Sequence, residues 1–392
     1  MRNNCINNLL NLKGVFIKKV ENSENNISIY VETEHKNHIC PHCMALTSKI
    51  KDYHTQVVKD VPIQFKNTTL IVKKRRYQCK SCRKTFYERI DFLPKYYRTT
   101  NRLLAYIYDQ LLTNKSMKQI AKESNVSSNK IMRTIDLFDC ENTKLPDVIS
   151  IDEFKGNTGY YKYQVSLIDS KNHKIIDILP CRYKHDLCNY FKKFPLSERS
   201  KVKYFITDLW ETYKDISMTY FPKAKIIADK FHYSRYIVSA VNDVRIETQK
   251  KLPPKEKKYF FHSKKLLLAR YSNLKEESQE KLNYILINYS EDLRTVYYEK
   301  EELLDIIHNK DSDSSKTIFN NWVKRNLNSH IPLLNNVAKT YFNWSYEIKN
   351  SLEVPYTNGV IEGFNNKIKT LKRIAFGFRN FKRFRTRILL LT

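Results

Sequence analysis

Residues 148–154 read Val-Ile-Ser-Ile-Asp-Glu-Phe, an apolar run that ends in a carboxylate, and residues 204–208, Tyr-Phe-Ile-Thr-Asp, repeat the arrangement. Short apolar runs bounded by polar segments read as buried strands. Residues 161–168, 174–179 and 225–228 are runs of the same kind, and 202–207 extends the second, with helical stretches between them. Such alternation predicts an α/β core that begins at Asp147. Adjacent strands ending in carboxylates converge, so Asp152 and Asp208 are expected in one place.

Toward the C-terminus, residues 233–350 read almost wholly helical with charged faces and a polar break at 309–315, which predicts an all-helical insertion. After Pro355 one more amphipathic helix is expected over 358–373, its apolar stripe made by Ile361, Phe364, Ile368 and Leu371. Glu362 is placed on the other face with Asn366, Lys369 and Arg373. A carboxylate among phosphate-binding groups suits a site for metal and DNA. Hard divalent cations prefer oxygen ligands, and two of them about 4 Å apart can activate an attacking oxygen while steadying the leaving one. Taken singly, Asp152 reads as a turn cap, Asp208 as the start of a helix and Glu362 as a surface ion pair. Their combination and order carry the reading. Beyond them Lys369, Lys372, Arg373, Arg379, Lys382, Arg383, Arg385 and Arg387 are expected to line a DNA path.

Toward the N-terminus, β-rich runs at 15–20, 26–31, 56–61 and 69–77 are interleaved with Cys40-Pro-His-Cys43 and Cys79-Lys-Ser-Cys82. Each pair sets two thiolates on a tight knuckle, and two knuckles give the tetrahedral sulfur set of a structural zinc. His42 is read as a bystander. Arg75, Arg76, Lys80, Arg83 and Lys84 crowd the second knuckle, either on phosphates or as solvated charge. Cys5, Cys140, Cys181 and Cys188 are scattered and read as ordinary small residues. Residues 100–140 show helical spacing. Ser116-Met-Lys-Gln119 has the form of a capping box, with the Ser hydroxyl and the Gln side chain both on orphan amides. A second helix after Ser127 would present Ser128, Asn129, Lys130 and Arg133 to a major groove, the pattern of a helix-turn-helix, though a plain helical hairpin has the same signature.

The chain of 392 residues is long enough for two or three domains, and 41% hydrophobic residues supply a core. Against 70 Lys and Arg stand 41 Asp and Glu, leaving +29. That excess favours a polyanionic partner. A coding bias toward Lys, Asn, Ile and Tyr would raise Lys without clustering Arg at the C-terminus. No run approaches the roughly 20 apolar residues of a membrane helix, and the first residues lack a signal-peptide pattern, so a cytoplasmic, nucleoid-associated protein is expected.

CPHC at 40–43, RRYQCKSCRKTF at 75–86, SIDEF at 150–154, ITDLW at 206–210, ADKFH at 228–232 and NGVIEGFNNKIKTLKRIAFGFRNF at 358–381 together resemble the bacterial insertion-sequence transposases of the ISL-three family, across nearly the whole length. The resemblance implies a multidomain α+β protein: a zinc ribbon over 1–95, a helix-turn-helix over 96–145, a ribonuclease-H-like catalytic core over 146–232 and 351–392, and the helical insertion between them over 233–350. It places the family's catalytic triad on Asp152, Asp208 and Glu362. It adds an Asp-x-x-His step, Asp229 to His232. Asp229 competes with Asp208 as second ligand, and His232 would orient a phosphate or a ligand unless it only caps a helix or packs in the core. Mg(II) or Mn(II) at the carboxylates, structural Zn(II), double-stranded DNA as terminal inverted repeats and target, and a homodimer on that DNA follow from the same resemblance. Trp210, Trp322 and Trp344 are read as base-stacking candidates, with core packing expected for at least two. Three other functions compete: a non-catalytic DNA-binding regulator, a decayed transposase, and a metal-dependent nuclease without strand transfer.

Overall fold

The computed structural model describes residues 10, 12, 14–138, 140–309, 311–357, 359–375 and 377–391, so Cys5, Asn358 and Phe376 lie outside the described residues. The chain divides into two compact units, Met1–Cys140 with Thr370–Thr392, and Glu141–Lys369.

In the first unit β1 (Val15–Asn22), β2 (Asn26–Thr33), β5 (Ile50–Ile63) and β6 (Lys66–Gln78) form a sheet in the order β1-β2-β6-β5. A two-stranded ribbon of β3 (His38–Ile39) and β4 (Leu46–Thr47) carries the first cysteine pair, and β7 (Thr85–Tyr87) pairs with β6 after the second. The strands outrun their apolar cores because alternation sustains them. Ile27, Ile29 and Val31 on β2 and Leu70 and Val72 on β6 turn inward at period two, and polar residues take the other face. Arg75 departs from the reading that it lies on phosphates or in solvent. It is buried, with Nη2 on Glu32 at 3.0 Å and Nη1 on Thr33 O at 2.8 Å, and its backbone amide donates to Glu88 at 2.7 Å. A buried guanidinium needs such partners.

Three helices follow: α1 (Asn101–Leu111), α2 (Met117–Glu123) and α3 (Ser128–Ile135), capped by Thr100, Ser116 and Ser127. The capping box is half made. Ser116 Oγ accepts from Gln119 N at 3.1 Å, but the Gln119 amide turns along the helix to Glu123 at 2.9 Å. Leu103, Ile107, Leu111, Ile120, Ala121, Ile131 and Ile135 form their shared core. Buried Asp60 on β5 accepts from Thr100 Oγ1 and Arg102 Nε, each at 2.7 Å, which ties this group to the sheet.

The second unit is built on a sheet of order β10-β9-β8-β11-β12. β8 (Val148–Thr158), β9 (Tyr161–Asp169) and β10 (Lys174–Leu179) are antiparallel neighbours, whereas β11 (Tyr204–Thr207) and β12 (Lys225–Ala228) run parallel to β8. Asp152, expected at a strand end, instead lies within β8. The strand continues because Phe154, Gly156 and Thr158 keep turning inward, at a place where the Gln164 side chain leaves no room for a Cβ on Gly156. Ile149, Ile151, Val165, Leu167 and Phe205 pack on α4 (Lys184–Lys192) and α6 (Glu211–Tyr220) on one face, beyond the short α5 (Leu196–Arg199).

From Lys230 to Glu353 the chain is helical with short breaks: α7 (Lys230–Lys251), α8 (Pro254–Phe261), α9 (Lys264–Leu268), α10 (Glu276–Asn288), α11 (Glu291–His308), α12 (Ser312–Asn326), α13 (Pro332–Asn343) and α14 (Ser345–Glu353). The expected polar break falls between α11 and α12, where Asp311 caps the new helix. Trp322 and Trp344 are buried in this helical core, with Trp322 Nε1 donating to Glu299 O at 3.1 Å, which is the core packing expected of at least two of the three tryptophans. Asn350 of α14 donates to Ile226 O at 2.9 Å and covers the β12 edge.

Two helices close the chain, α15 (Gly359–Ile374) and α16 (Phe381–Leu390). Within the first unit, Phe384 and Ile388 of α16 are buried and Leu390 packs against the core of α1 to α3. Arg387, expected along a DNA path, is buried too and donates to Thr113 O at 2.6 Å and Lys115 O at 2.9 Å. Arg383 is held by Asp136 at 2.7 and 2.9 Å, and Arg385 donates to Cys140 O at 2.8 Å.

Candidate active site

Strand register fixes where the acidic groups stand. Ser150 pairs with Ile206, Ile206 with Ile227, and Asp229 N donates to Thr207 O at 2.9 Å. Two residues further along each strand come Asp152, Asp208 and Asp229. They therefore form a row with Asp208 in the middle, on strands spaced about 4.8 Å apart. Residues two apart share a face, here the face of Val148, Ile206 and Ile227. Ile168, the partner of Ser150, is on that face and packs against Ile361 and Phe364 of α15.

Burial of that stripe turns Glu362, Asn365 and Lys369 toward the row. With Asp152, Asp229 and His232 they line a cleft of about 550 Å³, whose wall does not include Asp208. Asn366, expected beside Glu362, points to solvent, and buried Asn365 takes the inward position. Its Nδ2 donates to Asp152 Oδ2 at 2.9 Å, and its Oδ1 accepts from Ser166 Oγ at 3.3 Å. The other oxygen of Asp152 accepts from Glu153 N at 2.8 Å.

Burial pushes Asp152 up to about 6; the Glu153 amide and His232 pull against that, and Asp208 and Asp229 add to it. Asp208 is raised as well, again chiefly by burial. His232 is raised because Nδ1 meets Asp229 Oδ2 at 2.7 Å, and the neighbouring aspartates reinforce the shift. Asp229 is fully buried and also accepts from Phe231 N at 3.4 Å, so it caps α7 while holding His232. Gathered, desolvated carboxylates of this kind fit a hard divalent cation. Beside them Arg182 clasps Glu153 at 2.8 and 2.9 Å and lies 5.5 Å from the centre of the half-buried Trp210 ring.

The cysteines make a separate centre. Cys40, Cys43, Cys79 and Cys82 have their sulfurs within 4.8 Å of one another; among the described residues no three acidic or histidine groups come that close. The two knuckles repeat each other. Met44 N donates to Cys40 O and Arg83 N to Cys79 O, at 2.9 and 3.0 Å, with Met44 and Arg83 both at positive φ. Cys79 is drawn down to about 6, first by the Cys82 backbone amide. Four sulfurs so placed fit structural zinc, and His42 stays exposed outside the set.

Of the side chains expected on DNA, Ser128, Asn129 and Arg133 are exposed on α3, while Lys130 lies over the Tyr97 ring at 4.5 Å. Lys369 is on the cleft, and Arg373, Arg379 and Lys382 are exposed, with Lys372 half-buried.

Residues 149–388 match the family described as transposase, of the ISL3 group, and residues 36–82 match the zinc finger of the IS204/IS1001/IS1096/IS1165 transposases. The chain belongs to the ISL3 transposase family. The transposase for insertion sequence element IS1001 of Bordetella parapertussis is 25% identical over 380 residues, covering 94% of this chain and 93% of that protein. The transposase for insertion sequence element IS1557 of Mycobacterium tuberculosis is 24% identical over 260 residues, covering 59% and 57%. A Lactococcus lactis protein named ATP-dependent protease is 44% identical over 54 residues, only 14% of this chain and 17% of its own length. The family's two matched segments contain all four cysteines and every acidic group of the row and the cleft. Sequence reasoning missed Asn365, Ser166 and the Glu153–Arg182 pair. Only the first left a signal, its place one helical turn after Glu362.

Proposed function

We propose that this family member is a DDE transposase that binds the terminal inverted repeats of an insertion sequence, cuts there and joins the freed ends to target DNA. In this reading the sheet of the second unit is a ribonuclease-H-like core. α2 and α3 form a helix-turn-helix within 96–145 behind a zinc ribbon in 1–95; the core spans 146–232 and 351–392 around the insertion 233–350. Asp152, Asp208 and Glu362 would hold Mg(II) or Mn(II), which supplies activation of the attacking oxygen and charge stabilisation of the leaving one. The observation that carries the reading is the register-matched row of aspartates, of which Asp152 and Asp229 share a cleft with Glu362 of α15.

Asp208 is preferred over Asp229 as the second ligand. Asp229 is committed to capping α7 and to His232, and so orients the imidazole toward the cleft. His232, held by Asp229 on the cleft wall, would meet a phosphate oxygen. Lys369 on the same wall would meet another. The exposed groups of α3 would read the terminal repeat, and Arg373, Arg379 and Lys382 would follow its backbone. Cutting two ends together needs two copies on DNA, in the bacterial cytoplasm.

The test incubates the protein with labelled terminal-repeat DNA and Mg(II) or Mn(II). Nicks with 3′ hydroxyls and joined products are expected, and Asp152→Ala, Asp208→Ala and Glu362→Ala should each abolish both while DNA binding persists. Binding without nicking, unaltered by Asp152→Ala, would make the protein a regulator or a decayed enzyme. Nicking without joining would make it a nuclease.

A further inference from the structure

We propose that Asn365 is a positioning residue that locks the helix bearing Glu362 to the strand bearing Asp152 and sets the rotamer of Asp152 for metal binding. The inference rests on the carboxylate reading above. Asp152 Oδ1 is already fixed by the Glu153 amide, so the direction of its second oxygen depends on Asn365 Nδ2 at 2.9 Å. That amide is oriented by the carboxylate, since a flip would set its oxygen against Asp152 Oδ2; its own oxygen lies 3.3 Å from Ser166 Oγ, which also lies 3.2 Å from Asp152 O. Asn365 and Ser166 are both buried, and Ser166 is the cross-strand partner of Asp152 on β9. A chain of side-chain hydrogen bonds thus joins α15, β8 and β9 at the level of the aspartate row.

Asparagine suits this post where an acid or a hydrocarbon does not. It donates to an ionised carboxylate and accepts from a hydroxyl while adding no charge to the cluster. It follows Glu362 by three positions, so the turn of helix that carries the glutamate is pinned at one hydrogen bond from the aspartate. Groups that orient metal ligands in this way typically contribute about 10–100-fold in metal affinity.

The experiment measures Mn(II) binding without DNA, by the loss of the free-ion electron paramagnetic resonance signal, on the full chain. Asn365→Leu keeps the branching at Cγ and removes both hydrogen bonds, and affinity should fall by about 10–100-fold. Asn365→Gln, which keeps the amide on a longer arm, should recover part of it. Terminal-repeat binding should stay as in wild type for both. Wild-type Mn(II) affinity in Asn365→Leu overturns the role, as does a Gln variant no better than Leu. Should the Leu variant fail to fold, Ser166→Ala removes the hydroxyl that meets the Asn365 oxygen; a several-fold loss is expected, and unchanged affinity overturns the proposal. Asp152→Ala and Glu362→Ala separate the two readings. If neither weakens Mn(II), the carboxylate site itself fails; if both do and Asn365→Leu does not, only the positioning role fails.

Discussion

Asp152 holds its proton to about pH 6 in the folded chain, against an ordinary carboxylate value of 3.8. Between those values the folded state binds a proton that the unfolded chain has shed. The stability this group supplies is therefore complete below about pH 4 and lost as pH rises through about 6. Such a rise corresponds to on the order of 2–3 kcal/mol, a large share of the margin of a folded domain. His232, raised by Asp229, has the same sign, since the folded state keeps its proton to higher pH. Other carboxylates impose their own slopes, so the informative quantity is a difference. In chelator-treated protein, wild type minus Asp152→Asn should lose stability from pH 4 to 6.5 in denaturant titrations. Mg(II) should restore it above pH 6, because the cation binds the ionised form. A flat difference over that range would contradict the burial of this carboxylate.

The helix α16 is basic along its length, and its charge hides what it does. Arg383, Arg385 and Arg387 give the pattern of a nucleic-acid surface, which masks the apolar pair Phe384 and Ile388 in the sequence, although both are buried. The strands of the first unit are easier to read, because alternation of Ile, Val and Leu at period two distinguishes a half-buried strand from a helix. Even so, β8 runs past its apolar stretch, since Phe154, Gly156 and Thr158 alternate too weakly to announce a strand. On α15 a 3.6-residue period leaves a one-residue ambiguity, and the pattern points to Asn366 where the helix turns Asn365 inward. The cysteine pairs are legible outright, because thiolate spacing is a chemical constraint independent of packing. From its contacts, α16 is expected to act as a fourth member of the α1 to α3 group. Phe384→Ala should cost about 3–5 kcal/mol. Amide exchange within Asn101–Leu111 and Ser128–Ile135 should accelerate with it. Unchanged protection in those two helices would mean that α16 only rests on them.

Across the whole molecule the count of 70 Lys and Arg overstates the cationic groups that DNA can use. Arg75 is consumed by Glu32 and Glu88, Arg102 by Asp60, Arg383 by Asp136, and Arg387 by the backbone carbonyls after α1. In the proposed function phosphate binding then falls to exposed groups such as Arg133, Arg373, Arg379 and Lys382. Each phosphate neutralised releases condensed counterions, so affinity for terminal-repeat DNA should drop by about 10³–10⁵ between 50 and 200 mM salt if 6–10 phosphates are engaged. Substitutions should then sort by where their charge is spent. Arg133→Ala and Arg379→Ala should each lower the slope of log affinity against log salt by about 1. Arg75→Met should leave that slope unchanged while weakening the fold, since its charge never reaches solvent. If Asp152 is the proposed metal ligand, Asp152→Ala should stop cutting and leave the slope unchanged, because an anionic side chain neutralises no phosphate. A slope that moves with Arg75→Met as much as with Arg379→Ala would show that the internal arginines are exchanged for phosphate when DNA binds, and the first unit would then have to rearrange to bind it.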